Sequence, residues 1–352
     1  MKNKFLLFFI VLLGFALRLY RIDNPIADWH SFRQADTASV TREYVKHGIN
    51  LTRPTYHDLS NIQSGKENPQ GLRMVEFPLL NGFTAFIIRT FNLAPQEILV
   101  GRLVSVFFSL LTILSLYFLG RKISGELTGL IAAFTFAVLP YSVYYSRVIL
   151  PEPALIALST LALALFAYQF YLTSFFFFAL ALLVKPYAIF LLPVYFALTF
   201  WSKKNPKSLL SLPFLIFSLI PLWYWRRHIL QFPEGIPASN WLYNKDNIRF
   251  KGAFFHWLFD VRLNNLILGI GGLLPYLLGL IRKGKDQFIY LIWASSLLAY
   301  LIIFAGGNVQ HDYYQVFLLP LICLAIGRGV QFLYGLVPIY FSRLTFIILI
   351  TG

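Results

Sequence analysis

Apolar runs of roughly 17 to 25 residues recur along the whole of this 352-residue chain, and each is long enough to cross a hydrocarbon core about 30 Å thick. Runs of that length read as helices. With 58% hydrophobic and only 13% charged residues, and with 36 phenylalanines, the chain has too little polar surface to coat a water-soluble body of this size. The expected fold is therefore an all-α integral membrane protein. No repeat, low-complexity segment or linker divides it, so residues 1–352 read as one membrane domain.

The first apolar run follows Lys2 and Lys4 and looks somewhat like a signal peptide. Arg18-Leu-Tyr-Arg21 stands where a small-residue cleavage site would be, so the run reads as a retained first span. The single cysteine, Cys323, lies inside an apolar run and reads as a core residue, which excludes a disulfide framework and a cysteine metal site.

A net charge of +15 would suit a nucleic-acid binder, but the placement of the charges excludes one. After a first span at 5–20, further spans fall at about 100–120, 127–145, 151–172, 175–185, 187–201, 209–225, 263–281, 288–305, 313–330 and 337–351, about eleven in all. The segment 78–93 reads as a re-entrant or interfacial helix. If it crossed, the clusters Arg121/Lys122, Lys203/Lys204/Lys207 and Arg282/Lys283/Lys285 would all face outward, against the positive-inside rule. On the preferred parity 13 acidic residues collect on the outer side or its edge, and Glu126 and Asp286 remain inside. The outer side then carries two long loops, 21–99 and 227–262, with Glu152 and His311-Asp312 between spans. Polar groups from four distant segments meeting on one face make an active site or a transport vestibule.

The densest polar stretch is Ala27 to Gly48, with three acidic residues, two histidines and three Lys/Arg residues. Asp28, Asp36 and Glu43 are its candidate carboxylates. Each suits a general base toward a hydroxyl or a ligand for a divalent cation, against the plainer reading of a solvated helix with i,i+4 charge pairs. Glu152 opens an apolar span between two prolines, and carboxylates at a membrane edge are costly enough to suggest function; complementing a helix N-terminus is its bland alternative. Lys185 interrupts an apolar run just before Pro186, where a helix end is expected, and suits a phosphate ligand as well as a snorkelling anchor. Arg226 and Arg227 sit on the outer side, where positive-inside bias does not call for them, and suit a lipid phosphate or simple anchoring. His311 and Tyr314 are candidate phosphate contacts. Glu76, just before the re-entrant segment, is a possible partner for these groups, and His30 is a candidate beside them, although no zinc-site spacing occurs. The aromatic residues of the second loop serve equally as a headgroup belt or as an acceptor surface.

Taken in order, the long acidic loop, the Pro-Leu start of 78–93, Gly101-Arg-Leu-Val-Ser, Leu119-Gly-Arg-Lys-Ile-Ser-Gly, Ser146-Arg followed by Pro-Glu152-Pro, Val184-Lys-Pro and His311-Asp-Tyr-Tyr with Leu-Pro320 form a series. That series resembles GT-C type membrane glycosyltransferases, specifically the dolichyl-phosphate-mannose protein mannosyltransferase and aminoarabinose transferase group. The resemblance implies transfer of a sugar, with inversion, from a polyprenyl-phosphate carrier to an extracytoplasmic protein, lipid or glycan acceptor. It implies a catalytic carboxylate in the first loop, Glu152 lining the site, Lys185 on the carrier phosphate and Glu76 at the mouth, with room for a divalent metal ion. The chain departs from the pattern where the group has an adjacent Asp-Glu pair, since Arg33-Gln34 stands there. Asp36 is the first candidate for the base and Asp28 the second. A polytopic transporter or flippase for an anionic lipid is the alternative; inverted repeats and mid-span polar groups, which would favour it, are not evident.

Overall fold

A computed structural model describes residues 2–201 and 206–336. The span at 337–351 and the pair Lys203/Lys204 lie outside the described residues. The regular structure of the described residues is helical, with an irregular stretch at 48–78 that holds one isolated bridge between Thr55 and Leu72. In order the helices are α1 (Lys2–Leu19), α2 (Ser31–His47), α3 (Leu79–Thr90), α4 (Glu97–Ser124), α5 (Glu126–Val138), α6 (Pro140–Tyr145), α7 (Glu152–Ala167) and α8 (Tyr171–Val184). They continue as α9 (Leu192–Trp201), α10 (Pro206–Ser211), α11 (Ile220–Ile229), α12 (Asn240–Asn244), α13 (Gly252–Phe255), α14 (Gly269–Ile281), α15 (Gln287–Ile303), α16 (Ala305–Gln310) and α17 (Leu319–Leu336).

Three helical stretches among the described residues are long and apolar enough to cross a membrane unaided, at Ala94–Ser124, Leu209–Ile229 and Asp312–Leu336. A fourth candidate is the pair Gly252–Leu268 and Gly271–Ile281, bent by 110°. Five shorter apolar helices are 10–17 residues long, and among the described residues these lengths do not by themselves establish the expected count of about eleven spans. Proline divides the runs. Pro140 splits 127–145 into α5 and α6, and Pro186 separates α8 from the 3-10 turn Pro186–Leu191 that leads into α9. The apolar helices fit an integral membrane location.

α4, α5, α7, α8 and α17 form the core, in which Leu116, Phe136, Leu155, Leu163, Phe178 and Cys323 are fully buried. Where α14 crosses α17 the backbones meet through glycine. A Cβ on Gly279 would lie 1.8 Å from the Ala325 carbonyl oxygen, and one on Gly329 would lie 1.9 Å from that of Pro275, the small-residue contact by which apolar helices approach closely.

The two ends of α4 differ in use. At its C-terminus Arg328 makes a two-pronged pair with Asp286, 2.8 Å on each prong, while Ser124 also donates to Asp286. At its N-terminus Arg42 of α2 donates to Glu97, which fixes the first loop against the bundle about 40 Å from the Arg328 clamp at 1.5 Å per residue. α3 has 12 residues and is about 18 Å long, too short to cross a bilayer. It lies against α2 and buries Leu80, Ala85 and Ile88. The second long loop packs on the first, with the Met74 amide donating to the Gly235 carbonyl at 2.8 Å and the Ala238 amide to that of Gln63 at 2.8 Å.

Candidate active site

Local sequence aims each charged group at this end of the bundle. A residue before proline is pushed out of the helical region. Lys185 accordingly has φ −149 and ψ 119, which ends α8 and turns its side chain inward, where it is buried. Glu152 starts α7 in its first turn, where the helix dipole favours a negative charge. Arg33 and Asp36 lie one turn apart on α2, and Arg73 and Glu76 come from the irregular strand of chain before α3.

These six side chains form a ladder of alternating sign. Arg73 pairs with Asp36 at 2.6 Å, Asp36 with Arg33 at 3.5 Å, Arg33 with Glu76 at 2.5 Å, Glu76 with Lys185 at 2.6 Å and Lys185 with Glu152 at 3.3 Å. Tyr187 also donates to Glu152 Oε1 at 3.4 Å, while Oε2 is buried with no partner among the described residues. Burial alone would raise the pKa of Glu76. The charges of Arg33 and Lys185, with Arg73 behind them, outweigh it and hold the carboxyl well below the usual carboxylate range.

Beside a small pocket of about 30 Å³, two larger cavities open on the ladder and share Glu76, Lys185, Trp241 and Tyr314 in their walls. The first, about 470 Å³, is bounded by Phe32, Arg33, Asp36, Arg73, His311 and Tyr313. The second, about 390 Å³, is more apolar and is bounded by Tyr187, Arg226, Leu242, Tyr243 and Phe304. Together the walls present four cations, Arg33, Arg73, Lys185 and Arg226, against two carboxylates, Asp36 and Glu76, so the space favours an anion. The His311 ring centre lies 5.5 Å from that of Trp241, 5.9 Å from Phe32 and 5.2 Å from Tyr313, which makes an aromatic wall facing the ladder. Burial pushes the His311 imidazole down to about 4, with help from His30, Arg33 and Lys185 against the pull of Asp312, so it is neutral at physiological pH.

Asp312 is a second hub. It accepts from Trp29 Nε1 at 3.0 Å and the Tyr145 hydroxyl at 2.6 Å, pairs with Arg262 at 3.2 Å, and bonds His30. His30 adopts a left-handed φ of 58 just before α2, which turns its ring back to this contact. This hub ties the first loop to α6 and to the helical segment His256–Leu268 that carries Arg262.

The fold therefore brings Asp36, Glu76, Glu152, Lys185, Arg226, His311 and Tyr314 to one place. Arg227 is not among the lining residues; its guanidinium lies over the exposed Trp223 ring at 5.6 Å, the geometry of an interfacial anchor. Asp28 is also apart from both cavities, accepting from Gln34 at 2.6 Å and lying 3.8 Å from Arg102. Glu43 turns outward to His57 at 2.9 Å. Sequence reasoning missed Arg33, Arg73, Arg262 and Tyr187. Arg33 was visible as the departure from the Asp-Glu pattern, and no local signal marked the others. Among the described residues no group of three His, Cys, Asp or Glu side chains comes together to hold a metal ion. His30 is engaged with Asp312, and the ladder carboxylates are each paired with a cation. Among the described residues the side chains at this site do not fit a divalent cation.

Residues 82–225 match the dolichyl-phosphate-mannose-protein mannosyltransferase family. No curated protein matches this sequence. Among solved structures, ArnT from Cupriavidus metallidurans bound to undecaprenyl phosphate is similar, with TM-score 0.65 and 15% identity over 92% of this chain and 59% of that one. The oligosaccharyltransferase AglB from Archaeoglobus fulgidus, in complex with an inhibitory peptide and a dolichol-phosphate, gives TM-score 0.61 and 14% identity over 100% of this chain and 54% of that one. The same archaeal enzyme in complex with Zn and sulfate gives 0.60 and 14%, over 98% of this chain and 51% of that one. The chain thus spans between half and three-fifths of the length of these structures. The chain has the GT-C fold and resembles the protein mannosyltransferase and ArnT group of membrane glycosyltransferases.

Proposed function

We propose that this protein is a polyprenyl-phosphate-dependent glycosyltransferase of the cell envelope, working on the extracytoplasmic side of the membrane. The observation that carries the reading is the cation-rich double cavity at the polar end of the bundle, walled by Lys185, Arg226, Arg33 and Arg73. It lies in a fold shared with enzymes solved with undecaprenyl phosphate and dolichol-phosphate. The shorter helices complete a bundle of about eleven crossings, with loops 21–99 and 227–262 as its cap and 78–93 as an interfacial element.

In this reading the donor phosphate lies against Lys185 at the wall the two cavities share, with Arg226 on one side, Arg33 on the other and Tyr314 beside it. The acceptor hydroxyl approaches through the other cavity, where Asp36 stands. Both cation contacts of Asp36 fall on Oδ2, which leaves Oδ1 outside the ion pairs and able to take the hydroxyl proton. The acceptor oxygen attacks the anomeric carbon opposite the phosphate, a new C–O bond forms, and the bond to the phosphate breaks with its electron pair leaving on the polyprenyl phosphate. Lys185 and Arg226 neutralise that charge as it develops. A phosphate leaves without needing a proton, which suits a site whose nearest histidine is neutral. Attack from the opposite face inverts the anomeric configuration.

The test is transfer of radiolabelled sugar, in membranes holding equal amounts of each variant, from a panel of polyprenyl-phosphate donors to an extract of acceptors. The wild type should transfer. Asp36→Asn should lose on the order of 10²-fold or more, as expected for removal of a general base, and Asp28→Asn should retain most activity. Loss confined to Asp28→Asn would move the base to Asp28.

A further inference from the structure

We infer that Glu76 is a displaceable internal anion, holding the place between Arg33 and Lys185 that the donor's phosphate group takes on binding. The inference rests on the reading of Lys185 as a phosphate ligand and goes beyond it.

The ladder itself singles out Glu76. Its Oε1 accepts from Arg33 Nη2 at 2.5 Å and pairs with Lys185 Nζ at 2.6 Å. Each of those cations keeps a second carboxylate when Glu76 is withdrawn, Asp36 at 3.5 Å for Arg33 and Glu152 at 3.3 Å for Lys185. The other two anions do not share this property. Withdrawing Asp36 would leave Arg73 with no carboxylate among the described residues. Glu152 is fully buried at the closed end of the ladder and lines neither of the two cavities. Glu76 lines both cavities and lies in a bend between Arg73 and the start of α3, outside regular structure. A phosphate in its place would restore the alternation of Arg73, Asp36, Arg33, anion, Lys185 and Glu152.

Two consequences follow for a lipid-phosphate enzyme. The ligand-free site carries no unpaired buried cation, which would be costly in this apolar surrounding. After transfer, the returning carboxylate competes with the polyprenyl phosphate product for the same two cations and so drives its release. Glu76 is thus a positioning residue that sets phosphate affinity and product release, not a general base.

The experiment is equilibrium binding of undecaprenyl phosphate, and separately of inorganic phosphate, to the purified full chain in detergent, with a melting curve for each variant. Glu76→Gln keeps the shape and removes the charge. It should bind both probes about tenfold tighter or more, and in turnover its kcat and its inhibition constant for undecaprenyl phosphate should fall together. Glu76→Asp, which draws the carboxylate back by one methylene, should shift both affinities in the same direction and by less, and it carries the test if Glu76→Gln does not fold. Unchanged or weaker binding in a variant that melts like the wild type overturns the inference, and so does tightening for the lipid alone. Lys185→Ala separates the two layers: wild-type affinity in that variant would remove the phosphate reading on which the inference stands.

Discussion

Lys185 is the residue on which the site depends, because it is buried and already bonded to two carboxylates. Lys185→Ala should lower transfer by about 10² to 10³-fold, the range seen when one preorganised electrostatic group is removed from a transition state. A transfer assay at matched protein levels measures it. His311 gives a prediction of a different kind. Its folded value, about 4, lies below its ordinary 6.5. Between those two values the unfolded chain binds a proton that the folded chain does not, so stability should fall as pH drops through the window and be unaffected by this group above it. Melting temperature in detergent from pH 4 to 8 should slope less for His311→Gln than for the wild type. Residues that break a local rule were legible in the sequence. A lysine before proline inside an apolar run, and a glutamate between two prolines, need a reason to be there, and both are in the ladder. Arg33 and Arg73 lie in a segment where charge is ordinary, and their function exists only through partners 3 to 43 residues away.

At the scale of elements, the bundle is locked at the end away from the site by Arg328 of α17 and Asp286 before α15. Arg328 is 1% exposed, and removing one member of a buried pair typically costs about 3–5 kcal/mol because the other charge is left behind. Arg328→Met should therefore lower the melting temperature markedly, while protein that stays folded keeps its phosphate affinity. Loss of phosphate binding without loss of stability would mean that the two ends are coupled. Helix positions followed directly from apolar runs, and the ending of α8 at Val184 followed from Pro186. Span lengths did not follow. Hydropathy continues through Pro140, whereas backbone hydrogen bonding does not, so the run 127–145 that reads as one crossing folds as the two shorter helices α5 and α6. The second loop was legible as a loop, but its placement was not, since it is set by backbone contacts with the first loop, Met74 to Gly235 and Ala238 to Gln63.

For the whole molecule, the balance of charge was legible as a sorting of acids to one end, and the fold does gather the first loop, Glu152, the second loop and His311-Asp312 there. The same arrangement would serve a protein that moves a lipid-linked sugar without cleaving it, so the central claim is that the cavity performs chemistry. The most direct measurement is made in proteoliposomes containing the purified protein and a polyprenyl-phosphate sugar labelled in both lipid and sugar. Fate of the label is then followed with and without acceptor. Glycosyl transfer predicts acceptor-dependent release of polyprenyl phosphate, with the sugar appearing on the acceptor in inverted configuration and both signals lost in Lys185→Ala. Intact lipid-linked sugar crossing the bilayer, uncleaved whatever acceptor is present, would contradict it.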